Sequence, residues 1–133
     1  MPDIVNTFFR MHYPDDWNTA WQTQHCAGSY GREYTGNREA NSRIFPEMVC
    51  ADGFKMSVQG HFGAYSYPRD DFADEYRQVE IMCKREEVFE ELGRGYDVGD
   101  KRIYPYVPIE KVEEVIRSHG GLVAVRNIGE RRW

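Results

Sequence analysis

The chain has 133 residues, of which 41% are hydrophobic and 29% are charged. This length and balance fit one globular domain rather than a disordered chain. The net charge of −5 makes duplex DNA and anionic membranes poor default partners, because both usually require a basic face. No apolar run approaches the roughly 20 residues of a membrane-spanning helix, so we expect no membrane association. The widely spaced Cys26, Cys50 and Cys83 indicate free thiols in a reducing cytosol.

The first 43 residues differ in composition from the rest of the chain. Asp15 or Asp16 is a candidate cap for a short helix that carries Trp17 and Trp21 on one face. Two tryptophans on one helical face usually pack on a core, although Trp is also common in binding hot spots. We therefore expect an amino-terminal helix within residues 1–43.

Residues 27–43 contain three glycines, two tyrosines and almost no aliphatic side chain. The segment has neither helical nor strand periodicity, which predicts a long irregular arm. Loops of this length are usually functional or disordered. Tyr30, Arg32 and Tyr34 are the candidate binding residues of the arm, because Tyr and Arg predominate in binding hot spots.

A β-hairpin is predicted over about 45–59. Its strands, 45–51 and 54–59, are joined by Asp52-Gly53, a strong signal for a two-residue turn. Such a turn pairs Val49 with Met56 and leaves one apolar face and one more polar face. The predicted apolar face consists of Phe45, Val49, Ala51, Phe54, Met56 and Val58, and the other face of Met48, Cys50, Lys55, Ser57 and Gln59.

Five further elements follow the hairpin, and they are marked by apolar spacing or by a terminal Gly or Pro. In chain order they are a third strand (76–83), a short helix (86–92), a fourth strand (102–107), a helix (109–119) and a short final strand (122–125). This order predicts an α+β fold with a small mixed or antiparallel sheet and one or two packed helices. We expect a core domain over 44–125 and a carboxyl-terminal tail over 126–133.

The loop after the hairpin is the first candidate site, with His61, Tyr65, Tyr67 and Arg69 as its ligand- or partner-binding residues. Tyrosine offers a flat surface and a hydroxyl group, and arginine offers a rigid fork that matches phosphate or carboxylate. This chemistry suits a nucleotide-like anion and suits a protein interface almost equally well. In the structural alternative the tyrosines pack on the sheet and Arg69 pairs with a neighbouring aspartate.

Acidic residues crowd the stretch 70–91, which contains nine carboxylates. Such a run is usually a solvated face. The alternative is an acidic patch that docks on a basic groove of a partner.

Catalytic patterns are weak. His61, Ser66 and Asp70 or Asp71 could be written as a hydrolase triad, but no motif fixes a nucleophile on a strained turn. The four histidines lack metal-ligand spacing, and His119 is interpreted as a partner of a helix dipole. The sequence therefore predicts no catalytic residue, no metal ligand and no cofactor, and it leaves enzymatic activity undecided with a preference against it.

Five segments occur in order between about Val49 and Gly121. They are Asp52-Gly53-Phe54-Lys55-Met56-Ser57-Val58-Gln59, Tyr65 with Pro68-Arg69, Val79-Glu80, Tyr104-Pro105-Tyr106-Val107-Pro108 and His119-Gly120-Gly121. In these segments, which span slightly over half of the chain, it resembles a widespread family of small tailed-phage proteins. The resemblance carries no catalytic assignment.

The resemblance implies a gene that is expressed in the cytoplasm of an infected bacterium. Small phage proteins without an enzyme signature often disarm host machinery by binding nuclease effectors or by sequestering nucleotide signals. The leading hypothesis is a non-catalytic accessory protein that binds or inhibits a host antiviral defence component, in the manner of an anti-CRISPR protein. The alternatives are a nucleotide-signal-binding sponge and, less favoured, a small hydrolase. The expected partner is a host defence protein or a small anionic ligand such as a nucleotide. The sequence leaves the oligomeric state open between a single chain and a homo-oligomer.

Overall fold

The computed structural model describes residues 3–13 and 44–123. The described elements are α1 (Ile4–Met11), β1 (Met48–Val49), β2 (Lys55–Gln59), β3 (Gln78–Cys83), α2 (Glu87–Glu90), β4 (Tyr96–Val98), β5 (Lys101–Pro108) and α3 (Ile109–Ser118). The strands form one sheet in the order β1-β2-β3-β5-β4, and every neighbouring pair is antiparallel. The predicted α+β class is confirmed, and the sheet is antiparallel rather than mixed.

The hairpin is present, but its predicted register was wrong by one residue. The turn has three residues, Ala51 to Gly53, and the Cys50 amide donates to the Phe54 carbonyl at 2.8 Å. Gly53 has a φ of 96°, which is the left-handed position of a three-residue hairpin turn. Met48 therefore pairs with Met56 instead of Val49. A one-residue shift exchanges the faces of a strand, and Met48 and Cys50 are consequently buried in the core.

Helix α1 lies ahead of the predicted helix around Trp17 and was not itself predicted, although its residues carry the usual signals. Asp3 caps it by accepting a hydrogen bond from the Asn6 amide at 2.6 Å. Val5, Phe8 and Phe9 follow at helical spacing and are buried in the same core as the strands. The part of segment 1–43 that the structure describes is therefore packed on the sheet. The predicted helix around Trp17 lies outside the described residues.

The remaining predicted elements are largely confirmed. The third and fourth strands correspond to β3 and β5, and the helix that follows Pro108 corresponds to α3. The predicted helix over 86–92 is one short turn, α2. Strand β4 lies between the predicted helix 86–92 and the predicted fourth strand, where no strand was predicted. Of the predicted final strand, Leu122 forms an isolated bridge with Cys50.

The core lies between one face of the sheet and the helices α1 and α3. Alternate residues of β3 point to opposite faces, so Val79, Ile81 and Cys83 are buried while Glu80 projects from the outer face. In the part of the chain that the structure describes, no helix has the length and apolarity required to cross a membrane.

Candidate functional site

The loop over residues 60–77, which joins β2 to β3, has an extended middle section. Ala64 and Ser66 are each 1% exposed, whereas Tyr65 is 40% and Tyr67 is 59% exposed. Arg69 continues the outward series. This alternation is the period of an extended strand, so one side of the loop faces the protein and the other side displays two tyrosines and an arginine. The sequence contained this two-residue period, but it was not recognised there.

Polar side chains on the inner side hold the loop together. The buried Asp71 carboxylate accepts a hydrogen bond from the Phe62 amide at 2.8 Å. The Ser66 hydroxyl donates to the Pro68 carbonyl at 3.0 Å. Nδ1 of His61 accepts from the Gly63 amide at 3.0 Å. Polar groups buried in this way need hydrogen bonds, and here those bonds fix the path of the backbone.

Tyr65 docks the loop on the outer face of the sheet at a β-bulge. In the bulge, two residues of β5 lie opposite Glu80, and one of them, Tyr106, has a positive φ of 53°. The Tyr65 amide donates to Glu80 Oε1 at 2.8 Å, and the Tyr106 amide donates to the Tyr65 carbonyl at 3.0 Å. Bulges redirect side chains and are common beside functional sites. Here the bulge brings the Tyr106 ring beside Tyr65.

We call the exposed Tyr65, Tyr67, Arg69 and Tyr96, together with the half-buried Tyr106, the aromatic surface. The Tyr65 and Tyr106 ring centroids are 5.8 Å apart. The Arg69 guanidinium lies 5.0 Å from the Tyr65 ring centroid, and its Nε donates to the Phe62 carbonyl. Tyr96 adds a side chain that is 43% exposed. Tyr96 lies opposite Ile103 on β5, three residues before Tyr106. Burial and the electrostatic influence of Glu80 and Tyr65 raise the pKa of Tyr96.

The structure separates the predicted site residues into three groups. It displays Tyr65, Tyr67 and Arg69 together on the aromatic surface. His61 is only 8% exposed, so its side chain lies beneath that surface. The arm residues Tyr30, Arg32 and Tyr34 lie outside the described residues. Tyr96 and Tyr106 were missed because β4 and the bulge in β5 arise from strand pairing that spacing alone does not reveal.

The serine of the weak triad hypothesis is not presented to a substrate. Ser66 is 1% exposed and its hydroxyl donates to a backbone carbonyl, while His61 Nδ1 accepts from a backbone amide. A nucleophile requires an exposed oxygen within reach of its base. These side chains instead act as supports for the loop.

A second polar cluster, which we call the histidine junction, consists of His119, Asp52, Glu86 and Phe54. His119 Nδ1 lies 2.6 Å from Asp52 Oδ2, and Nε2 lies 3.2 Å from Glu86 Oε1. Its ring stacks on Phe54 with centroids 4.2 Å apart. The junction ties the hairpin turn to the amino end of α2 and to the carboxyl end of α3. The earlier interpretation of His119 as a dipole partner missed these contacts, which join residues far apart in the sequence.

The electrostatics of the histidine junction favour a charged histidine. Burial alone would lower the pKa of His119, but hydrogen bonds and charge interactions with Asp52 and Glu86 outweigh it and raise the pKa. A hydrogen bond from the Phe54 amide and the contact with His119 lower the pKa of Asp52.

The two cysteines nearby are no nucleophiles at neutral pH, because burial raises the pKa of Cys50 to about 11 and of Cys83 to about 12.

The acidic stretch 70–91 does not form one solvated patch. Asp71 is fully buried, Glu80 accepts from the Tyr65 amide, and Glu86 contacts His119. Glu90 accepts hydrogen bonds from Arg102 and Tyr104. Several of the acids are therefore internal partners rather than a docking surface. Among residues 3–13 and 44–123, no group of His, Cys, Asp and Glu side chains is arranged to hold a metal ion.

No protein-family model matches the chain, and no curated protein and no solved structure matches it either. The segments that carry the phage resemblance nevertheless meet in two places. Asp52 and Phe54 contact His119 in the histidine junction, and Tyr65 contacts Glu80 and Tyr106 at the bulge. The family itself stays a prediction.

Proposed function

We propose that the chain is a phage-type accessory protein that binds a host antiviral defence component and blocks it without catalysis. It acts in the cytoplasm of the infected bacterium, and the aromatic surface is its contact site. The observation that carries the proposal is that two sets of side chains in the 60–77 loop have different roles. Its polar side chains hold the backbone, while its tyrosines and Arg69 are left exposed.

The composition of the aromatic surface supports a protein partner. Tyr and Arg are the residues that most often dominate binding energy, because each combines a large flat area with hydrogen-bonding groups. Large apolar side chains that are exposed by more than 40% are few among the described residues, and Tyr67 and Tyr96 are two of them. A surface that displays such residues on a well-held backbone loses little conformational entropy on binding.

The test is capture of the partner from lysate of cells that express a defence system, followed by titration with the purified partner. The variant replaces Tyr65, Tyr67 and Arg69 with alanine. We expect its affinity to fall by at least about 30-fold, because one hot-spot residue contributes about 2 kcal/mol or more.

The matched control replaces Met11 and Ile44 with alanine. Their apolar side chains are also exposed but lie outside the aromatic surface. This control variant should bind as the unaltered protein does. Both variants must keep the urea midpoint of the unaltered protein. Full capture by a folded triple variant would refute the proposal.

The arm is tested separately with alanine at Tyr30, Arg32 and Tyr34. If the partner spans both regions, this variant should lose affinity while the 60–77 loop remains intact. Unchanged affinity would confine the contact to the aromatic surface.

A second proposal is a nucleotide-binding sponge, in which Tyr65 and Tyr67 stack on a base and Arg69 holds phosphate. The contact of the Arg69 guanidinium with the Tyr65 ring favours it, because it places a cation beside a stacking surface. Thermal shift against cyclic and linear nucleotides distinguishes the two proposals, provided that the shift is lost when Tyr65, Tyr67 and Arg69 are replaced with alanine. A ligand at about 100 times its Kd should stabilise the fold by roughly 2.7 kcal/mol. A hydrolase would additionally release new products, which chromatography detects.

A further inference from the structure

Three of the four lysines in the chain line one cavity. The lysines are Lys55, Lys84, Lys101 and Lys111, and the first three surround a space of about 330 Å³ that we call the lysine cavity. Glu47, Gly53 and Phe54 complete its described lining. In a protein with a net charge of −5, this is a marked concentration of ammonium groups.

The sheet register explains why the three lysines meet. Met56 pairs with Cys83 on β3, and Cys83 pairs with Arg102 on β5. Lys55, Lys84 and Lys101 each adjoin one residue of this row, on the side nearer the end of the sheet. The three lysines therefore occupy adjacent positions at that end. Because alternate residues face opposite sides, they belong to the outer face, whereas Met56 and Cys83 point into the core.

Adjacent like charges on neighbouring strands repel one another and destabilise the sheet. The ion pairs within residues 3–13 and 44–123 include Lys111 but none of the three cavity lysines. Among the described residues of the lining, Glu47 is the single carboxylate. A ligand with several negative charges would remove the repulsion, and a nearby cluster of lysines is a common way to bind phosphate.

Phe54 gives the lysine cavity a firm apolar wall. One face of its ring stacks on His119 at a centroid distance of 4.2 Å and an interplanar angle of 9°. The volume of about 330 Å³ lies at the lower end of small-molecule sites. We propose that the lysine cavity binds the di- or triphosphate group of a small molecule. This site shares no residue with the aromatic surface, so its test is independent of the proposed function.

Isothermal titration with tripolyphosphate and with ATP tests the site. We expect one equivalent of ligand to bind, with an affinity that falls as salt is added. Replacing one cavity lysine with glutamine should weaken binding about tenfold, which corresponds to one lost charge-assisted hydrogen bond. The triple variant K55Q/K84Q/K101Q should show no measurable binding.

Lys111→Gln is the matched control, because it removes the same charge from α3 and away from the cavity. It should bind both ligands as the unaltered protein does. Equal weakening by Lys111→Gln and Lys84→Gln would overturn the proposal, since it would indicate attraction by net charge alone. Absence of binding at millimolar ligand would overturn it as well.

The melting temperature of each variant shows whether that variant is folded. The triple variant should melt at the same temperature as the unaltered protein or above it in low salt, because its repulsion is removed. If it fails to fold, the three single variants provide the affinities. If ATP binds more tightly than tripolyphosphate and Phe54→Leu removes this difference, the ligand is a nucleoside polyphosphate. If the two bind equally tightly, the ligand is a free polyphosphate.

Discussion

The 60–77 loop and the histidine junction are both rich in polar side chains, but they use them differently. In the loop, Asp71 and Ser66 bond to the backbone of their own loop and are shielded from solvent. In the junction, His119 bonds to two carboxylates from distant elements and stays partly exposed. The loop is therefore a rigid carrier for exposed aromatic residues, whereas the junction is a titratable connection. A segment dense in Ser, His and Asp is thus not by itself a reactive site.

The largest effect should come from Asp71→Ala, which tests whether a buried carboxylate holds the loop. The substitution removes the fully buried Asp71 carboxylate and with it the acceptor of the part-buried hydrogen bond from the Phe62 amide. We expect a loss of about 3 kcal/mol in the free energy of unfolding, measured by urea denaturation. Asp74→Ala is the control, since that side chain is 77% exposed and its ion pair with Arg10 contributes about 1 kcal/mol or less. Similar losses in both variants would contradict the rigid-carrier interpretation.

A smaller effect is expected where the loop leaves β2. A methyl group at Gly60 would lie 2.9 Å from the ring of Tyr76, whose hydroxyl is held by the Asp70 carbonyl. Gly60→Ala should therefore cost about 2 kcal/mol of unfolding free energy by overpacking. Gly63→Ala is the matched variant, because its methyl group meets the His61 ring at an ordinary 3.4 Å. Equal urea midpoints for the two variants would contradict this expectation, because they would show that the loop shifts to accommodate the methyl group at Gly60.

The smallest expected effect is the pH-dependent contribution of His119 to the stability of the fold at the histidine junction. The folded-state pKa of His119 is raised, so its charge contributes stability that is fully present below the ordinary value of 6.5. That contribution is lost as the pH rises through the raised pKa. His119→Gln should therefore lower the urea midpoint at about pH 6 and leave it nearly unchanged at about pH 9.

His12→Gln provides a comparison of opposite sign. Burial lowers the pKa of His12, so protonation of this residue favours the unfolded chain as the pH falls. The substitution should raise the urea midpoint at about pH 5 relative to the unaltered protein. The same trend in His12→Gln and His119→Gln would contradict the assignment of His119 as the charged partner of Asp52 and Glu86.

The sequence predicted those elements that carry their own periodicity and terminal signals. Helix α3 follows Pro108 and presents a regular apolar stripe, and β3 alternates cleanly. The Asp52-Gly53 pair indicated a hairpin but fits both a two-residue and a three-residue turn. The choice depends on burial of Met48 and Cys50 and on the bridge from Cys50 to Leu122, which are contacts across the fold.

The candidate site was predicted in part for the same reason. Tyr65, Tyr67 and Arg69 are close in sequence, so their common exposure follows from local spacing. The contributions of Tyr96 and Tyr106 depend on strand order and on the bulge opposite Glu80, and neither is encoded in a short window of sequence. The lysine cavity likewise requires the register of three strands.

The contact between Tyr13 and Phe45 has a consequence for engineering the chain. Their ring centroids are 6.1 Å apart, and the Gln59 side chain bonds to both the amide and the carbonyl of Phe45. Tyr13 and Phe45, which lie on either side of the undescribed residues 14–43 in the sequence, are therefore neighbours in the core. Closing a chain between two adjacent anchors depends only weakly on its length. A short linker or a foreign domain joined at Tyr13 and Phe45 would therefore keep α1 next to the sheet.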